Sequence, residues 1–326
     1  MREEEFGLEA FAEHLGGLAQ DRTNIGHARI LSAGRSYNAP MRLPLLLATL
    51  LALGGCQATF FAAVNARQPS TGVVAHRDNV YDAAHDVKLD VYAPEHADHA
   101  PVVVYFFGGS WMHGKREWYR WLGQALATQG IVAVVADYRL WPKTRMDGFL
   151  HDGAEAVRWA RDHAADYGGD PAHLFVMGHS AGGHIAAMLA TDKQWLAGVG
   201  MRPRDLAGWI GVAGAYDFLP LDDPDFIDMF GSTPQEQARS QPINFVDGDE
   251  PPALLLQGEA DTIVFPSEAI AMEGRYRQMG EPVELKLYPK LGHERLLFAL
   301  GPLHEEAPVM RDVVTFIRSR TKPPRP

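Results

Sequence analysis

At 326 residues and 46% hydrophobic content, the chain can bury the core of one large α/β domain or two modest ones, and a globular, enzyme-sized body is expected. Thirty basic against 41 acidic residues leave a formal net charge of −11, with no lysine or arginine cluster able to track a phosphate backbone, which argues against nucleic acid as a partner. Cys56 is the single cysteine, so an internal disulfide framework and a Cys-rich zinc site are both excluded.

The first element in chain order is a signal-like segment set unusually deep. From Met41 the sequence reads "MRLPLLLATLLALGGCQ": a methionine, a basic residue, an apolar run from Leu43 to Leu53, then Gly54, Gly55 and Cys56. The run is too short for a bilayer-spanning helix of roughly 20 residues and has the layout of a secretory signal. Leu53-Gly54-Gly55-Cys56 resembles the bacterial lipoprotein box, in which the cysteine thiol receives the lipid. That resemblance implies translation from Met41, residues 1–40 upstream of the true start, a signal peptide over 41–55, and lipidation of Cys56. The protein would then be anchored in the bacterial cell envelope facing the periplasm. The competing expectation is a cytoplasmic protein in which the run is a buried hydrophobic helix.

Residues 56–72 lack a clear period and read as a tether. Short β-rich runs follow at Val87 to Tyr92, Pro101 to Phe107, Ile131 to Ala136, His173 to Met177, Trp209 to Ala213, Ala253 to Gln257 and Val283 to Tyr288. Helix-like stretches lie between several of them, such as Asp152 to Ala165 with Ala156, Val157 and Ala160 at helical spacing. Near-continuously apolar strands alternating with helices predict a mostly parallel sheet covered on both faces. One domain is expected over residues 73–320, with a polar tail at 321–326.

The strand "HLFVM" runs into Gly178-His179-Ser180-Ala181-Gly182 and then the Ala-rich "HIAAMLA". In a chain with 32 glycines a G-x-S-x-G pentapeptide arises by chance in roughly one case in ten, so context must discriminate. Strand, sharp turn and helix are the arrangement of a nucleophile elbow, in which flanking glycines let the backbone crowd a turn that pushes the serine hydroxyl outward. The bland alternative is a glycine-tight connection or phosphate cradle. Neither G-x-G-x-x-G near the first strand nor Gly-Lys-Ser/Thr is present. Ser180 is therefore the expected nucleophile.

A serine hydroxyl needs a base to take its proton and an acid behind that base, in the order serine, acid, histidine on loops after later strands. "ALLLQ" ends in Gly258-Glu259-Ala260-Asp261, and "VELKLY" ends in Pro289-Lys290-Leu291-Gly292-His293. Asp261 is preferred to Glu259 because it lies further into the loop, with Thr262, Ile263 and Val264 behind it. Asp217, in "GAYDF", is the rival acid, and any of these carboxylates could merely cap a helix. His293 is the expected base. Its rival His304 follows no strand directly, while His179 and His184 sit too close to the elbow to close a triad.

An acyl-transfer site also needs donors for an oxyanion: the amide of Ala181, and another from the loop Phe107-Gly108-Gly109-Ser110-Trp111. Together "FFGGSW", "ADYRL", "YGGDP", "GHSAGGH", "GAYDF" and "GEAD" resemble the carboxylesterase and arylformamidase branch of the α/β-hydrolases, of the BD-FAE or esterase-lipase type, from about Val87 to about Asp312. The resemblance implies an α/β-hydrolase fold, a serine esterase with a small-molecule ester substrate and no cofactor or metal, and loop amides of Gly109 and Ser110 in the oxyanion hole. In that branch the loop usually reads H-G-G-x-W. Phe107 stands in the histidine's place, so an imidazole's hydrogen bonds are replaced by an aromatic surface and the sequence does not show what braces the loop.

Between the strands ending near Ala213 and beginning at Ala253, the insert "DFLPLDDPDFIDMFGS…QPINFVDGDEPP" is too long for a simple connection and is expected to form a short cap. Its Phe218, Leu219, Phe226, Ile227, Met229 and Phe230 offer apolar surface to a bound group, with Trp111 and Trp141 opposite and His179 near the nucleophile, while most of them are expected to pack the cap onto the core. The reading is ester hydrolysis of short acyl or small aromatic groups. Alternatives are formamide or arylamide hydrolysis, or a non-catalytic binding protein on the same fold.

Overall fold

In the computed structural model, residues 57–301 and 303–321 are described. The segment from Met41 through Cys56 and most of the expected tail lie outside them. The chain divides into a unit ending at Phe60, of which residues 57–60 are described and helical, and a unit from Phe61 onward.

The second unit is built on one eight-stranded sheet in the order β1-β2-β4-β3-β5-β6-β7-β8. Its strands are β1 (Val73–Asp82), β2 (Val87–Pro94), β3 (Ala100–Phe106), β4 (Val132–Ala136), β5 (Gly169–His179), β6 (Gly208–Val212), β7 (Ala253–Gly258) and β8 (Val283–Tyr288). The β1–β2 and β2–β4 pairs are antiparallel, and every other pair is parallel. This is the α/β-hydrolase architecture. Every residue of β4, β6 and β7 is buried. Successive strand side chains point to opposite sides, so both faces of the central sheet are covered.

Strands β2 to β8 fall on the apolar runs of the sequence. Strand β1 does not: "VVAHRDNVYD" is exposed at most positions and its register slips between His76 and Asn79 and again between Val80 and Asp82, so an edge strand left no apolar pattern to read. The stretch expected as a tether also differs, being helical over residues 57–67. Phe61 stacks on Trp118 with ring centroids 5.1 Å apart, and buried Asn65 donates to the Glu117 carbonyl (2.9 Å) and accepts from the Trp121 amide (2.8 Å). Ordered structure therefore begins ahead of residue 73, held by a few contacts that carry no period.

The loops after β3, β5, β6, β7 and β8 all leave the carboxyl ends of parallel strands and so meet along one edge of the sheet, where α/β folds place their sites. The β3 loop is tied down at its far end. Arg116, 5% exposed, donates through Nε to Asp90 Oδ1 on β2 (3.0 Å), and its amide donates to Asp137 Oδ1 just past β4 (2.8 Å). Arg139 grips the fully buried Asp152 in the same manner, through Nε and an Nη at 2.7–3.0 Å. Such bidentate pairs fix geometry as well as contributing energy.

Candidate active site

Ser180 follows β5 directly and precedes a helix over Ala181–Thr191, with φ 54° and ψ −120°. Positive φ is disfavoured for a residue bearing a Cβ, and such strain concentrates at functional turns. The glycines show why the turn can exist. A Cβ at Gly178 would run into the Gly182 carbonyl oxygen, and one at Gly182 into the carbonyl oxygens of Phe106 and Phe107. At Gly108 a Cβ would lie 3.0 Å from Ser180 Cβ, so the β3 loop passes directly beside the serine.

The loops after β7 and β8 bring two further side chains together. His293 Nδ1 lies 2.8 Å from Asp261 Oδ2, with His293 6% and Asp261 3% exposed. The amides of Ile263 and Val264 donate to Asp261 Oδ1 at 2.9 and 3.0 Å, so residues behind the acid do anchor it. Burial pushes the Asp261 carboxyl upward, but the bond to His293, that ring's charge and the two amides outweigh it and hold the group below its usual range. The rivals are set differently. Asp217 and Glu259 are exposed, and His304 is an exposed residue whose Nδ1 bonds the Gly301 carbonyl within its own turn (2.9 Å).

His293 stands beside the elbow through His179, the residue before Ser180. Their rings are 4.6 Å apart, and His179 Nε2 donates to the His293 carbonyl (3.2 Å). Burial first, then the neighbouring His293, pushes the His179 pKa down to about 3, so it stays neutral. At 5% exposure, His179 supports the His293 backbone.

Beyond Gly108, the β3 loop has positive φ at Gly109 (127°), Ser110 (54°) and Trp111 (58°). Three such residues in a row turn the backbone sharply beside Ser180. Phe107 supplies the brace that an imidazole would otherwise give. Its ring is stacked between Tyr138 (4.5 Å) and Tyr119 (5.6 Å), and the Tyr138 hydroxyl donates to its carbonyl (2.8 Å).

An elbow serine, a buried His–Asp pair and a strained glycine loop lie at the strand ends of an α/β-hydrolase sheet. The BD-FAE family model matches residues 89–275, more than half of the chain. The chain belongs to the BD-FAE family. It is 27% identical over 271 residues to a probable isoprenylcysteine α-carbonyl methylesterase of Arabidopsis thaliana, covering 74% of this chain and 55% of that one. It is 31% identical over 196 residues to esterase LipC of Mycobacterium tuberculosis, covering 55% and 48%. Among solved structures it resembles esterase B of Lactobacillus rhamnosis, in a complex with a tributyrin phosphonate, at TM-score 0.71 and 24% identity over 86% of this chain and 96% of that one. The chain thus spans about half the length of these two curated relatives.

In this BD-FAE chain the insert between β6 and β7 carries helices over Pro224–Phe230 and Pro234–Arg239. Its aromatic side chains pack against Trp111. Trp111 is 4% exposed because Phe230 (4.8 Å), Phe218 (5.8 Å) and Phe226 (5.9 Å) from the insert surround it, with His184 5.1 Å away. Trp141 serves as a latch: its Nε1 donates to Asp228 Oδ2 (3.0 Å), and Arg145 pairs with the same carboxylate. His184, on the elbow helix, donates through Nε2 to the Ser240 carbonyl, directly after the insert's helix over Pro234–Arg239 (2.8 Å).

Burial lowers the His184 pKa to about 4. His179 and His184 therefore stay neutral in the folded chain while an unfolded chain's histidines, titrating near 6.5, take up protons. Their contribution to stability is complete above about pH 6.5 and is lost as the pH falls toward their folded values, by an amount on the order of a few kcal/mol. Glu268, whose pKa burial raises, works in the opposite direction. The decisive quantity is thus the difference between parent and His184→Phe. The parent should lose melting temperature between pH 7 and pH 5 more steeply than the variant, and parallel curves would contradict the assignment.

Three residues that sequence reasoning passed over shape the site: Tyr138, Glu268 and Gln257. Glu268, 8% exposed, accepts from the amides of Tyr216 (2.8 Å) and Asp217 (3.3 Å) and so fixes the loop from which the insert departs. Only Gln257 left a signal, as a lone amide closing an otherwise apolar strand.

Proposed function

We propose that this protein is a carboxylic ester hydrolase working through Ser180, His293 and Asp261. The observation that carries the reading is the pairing of a positive-φ serine at the strand-to-helix elbow with a buried His293–Asp261 bond at the ends of β7 and β8. In this mechanism Ser180 Oγ attacks the ester carbonyl carbon and His293 Nε2 takes its proton. The tetrahedral oxyanion is held by the amides of Ala181, Gly109 and Ser110. Collapse expels the alcohol, which leaves with the proton from His293, and water then hydrolyses the acyl-enzyme by the same route in reverse. Asp261 keeps the imidazole proton on Nδ1, which leaves Nε2 free to act as base.

The substrate class follows from the insert. Its helices are short, over Pro224–Phe230 and Pro234–Arg239, and its aromatic side chains pack around Trp111, which supports short acyl or small aromatic groups over long lipid chains. Esterase names among the relatives support ester hydrolysis at this coarser level. A p-nitrophenyl ester series tests it. kcat/KM should peak at short acyl chains, and a maximum at long chains would overturn the cap argument.

We also propose that translation from Met41 delivers Cys56 to a lipid anchor in the cell envelope, supported by the Leu-Gly-Gly-Cys box alone. Intact mass of the native protein should show a diacylated cysteine terminus; an unlipidated Met1 start would overturn this.

A further inference from the structure

Gln257 is the last side chain of β7 before Gly258 ends the strand; every preceding side chain from Ala253 to Leu256 is apolar, and Gln257 is fully buried. Its Nε2 lies 3.2 Å from Asp261 Oδ2, 3.1 Å from the Val264 carbonyl oxygen and 3.3 Å from that of Gly258. The reverse amide orientation would set Oε1 against a carboxylate and two carbonyl oxygens, so the neighbours themselves fix the nitrogen on this side. Its Oε1 has no partner among the described residues. The acceptor half of the side chain is thus buried with no bond to offset its loss of water, so its burial is not explained by that oxygen. What the amide supplies is an N–H aimed at the acid.

We propose that Gln257 is a positioning residue for the Ser180–His293–Asp261 machinery, holding the carboxylate oxygen that receives His293 Nδ1–H; the inference rests on the triad reading above. Four donors converge on Asp261. Ile263 and Val264 amides take Oδ1, while His293 and Gln257 share Oδ2. Because Gln257 also bonds the Val264 carbonyl, the carboxylate, the turn behind it and the end of β7 form one closed set of hydrogen bonds.

The electrostatic consequence has a definite sign. An N–H on Oδ2 draws off part of the charge that would otherwise stabilise the His293 imidazolium. Removing that donor leaves a more basic imidazole, so the acidic limb of the activity profile must move to higher pH. The other titratable groups around the pair are His179 on β5, 4.6 Å from the His293 ring, and Glu268 on the helix over Pro266–Met279. Neither is altered by substitutions at 257.

The test is the pH dependence of kcat/KM for p-nitrophenyl acetate in the parent, Gln257→Met and Gln257→His. Methionine has similar volume and no donor, whereas histidine keeps one. Gln257→Met should fold, lose about tenfold at the plateau, and shift its acidic midpoint upward by about half a unit or more. Gln257→His should return the midpoint toward the parent's. A Gln257→Met profile that is lowered but not displaced assigns the residue a structural role only and overturns the proposal. Gln257→Leu stands in if the methionine variant does not fold, and failure of both to fold overturns it equally. His293→Ala run alongside separates the two readings: if that variant keeps its activity, it is the triad that has failed.

Discussion

Ser180→Ala is expected to lower kcat/KM toward a short-chain p-nitrophenyl ester by about 10⁴-fold or more, with the melting temperature nearly unchanged. The substitution removes one oxygen from a half-buried position and leaves the contacts that shape the elbow in place, because those belong to Gly178, Gly182 and Gly108. The proposed oxyanion donors would also survive, being backbone amides, so a residual rate above that in water should persist. A variant retaining a tenth of parental activity would mean that Ser180 is not the attacking group.

Asp261→Asn is expected to cost about 10³- to 10⁴-fold, and the hydrogen-bond geometry says why. A carboxylate offers two acceptor oxygens to four donors, whereas an asparagine offers one. The Ile263 and Val264 amides at 2.9 and 3.0 Å claim that oxygen, which turns the asparagine NH₂ toward His293 Nδ1. Nδ1 must then accept, the ring proton moves to Nε2, and the nitrogen facing the serine can no longer take a proton. Asp217→Asn changes an exposed side chain and should leave the rate within about twofold. The opposite order of effects would reassign the acid.

Much of this site was legible because its chemistry needs residues at strand ends, and strand ends are what apolar runs mark. Ser180 stood out as a candidate by the strand before it and the helix after it, and Asp261 and His293 by the termini of "ALLLQ" and "VELKLY". What the sequence concealed depends on directions that no spacing encodes. Trp111 gave no sign of its burial, which is imposed by Phe218, Phe226 and Phe230 from more than a hundred residues away, and only folding brings them over it. His179 lies next to the nucleophile in sequence, yet its ring turns under His293. Phe107 looked like a loss of bracing until Tyr119 and Tyr138, from two separate segments, closed on its faces. The edge strand β1 escaped notice for the converse reason, since an exposed edge needs no apolar alternation.

Covalent trapping tests the central claim most directly. Incubation with a fluorophosphonate, digestion and peptide mass spectrometry should place one adduct on Ser180, and His293→Ala should slow its formation by several orders of magnitude because the hydroxyl loses its base. An adduct on another residue, or labelling that persists at parental rate in Ser180→Ala, would contradict a serine nucleophile at this elbow.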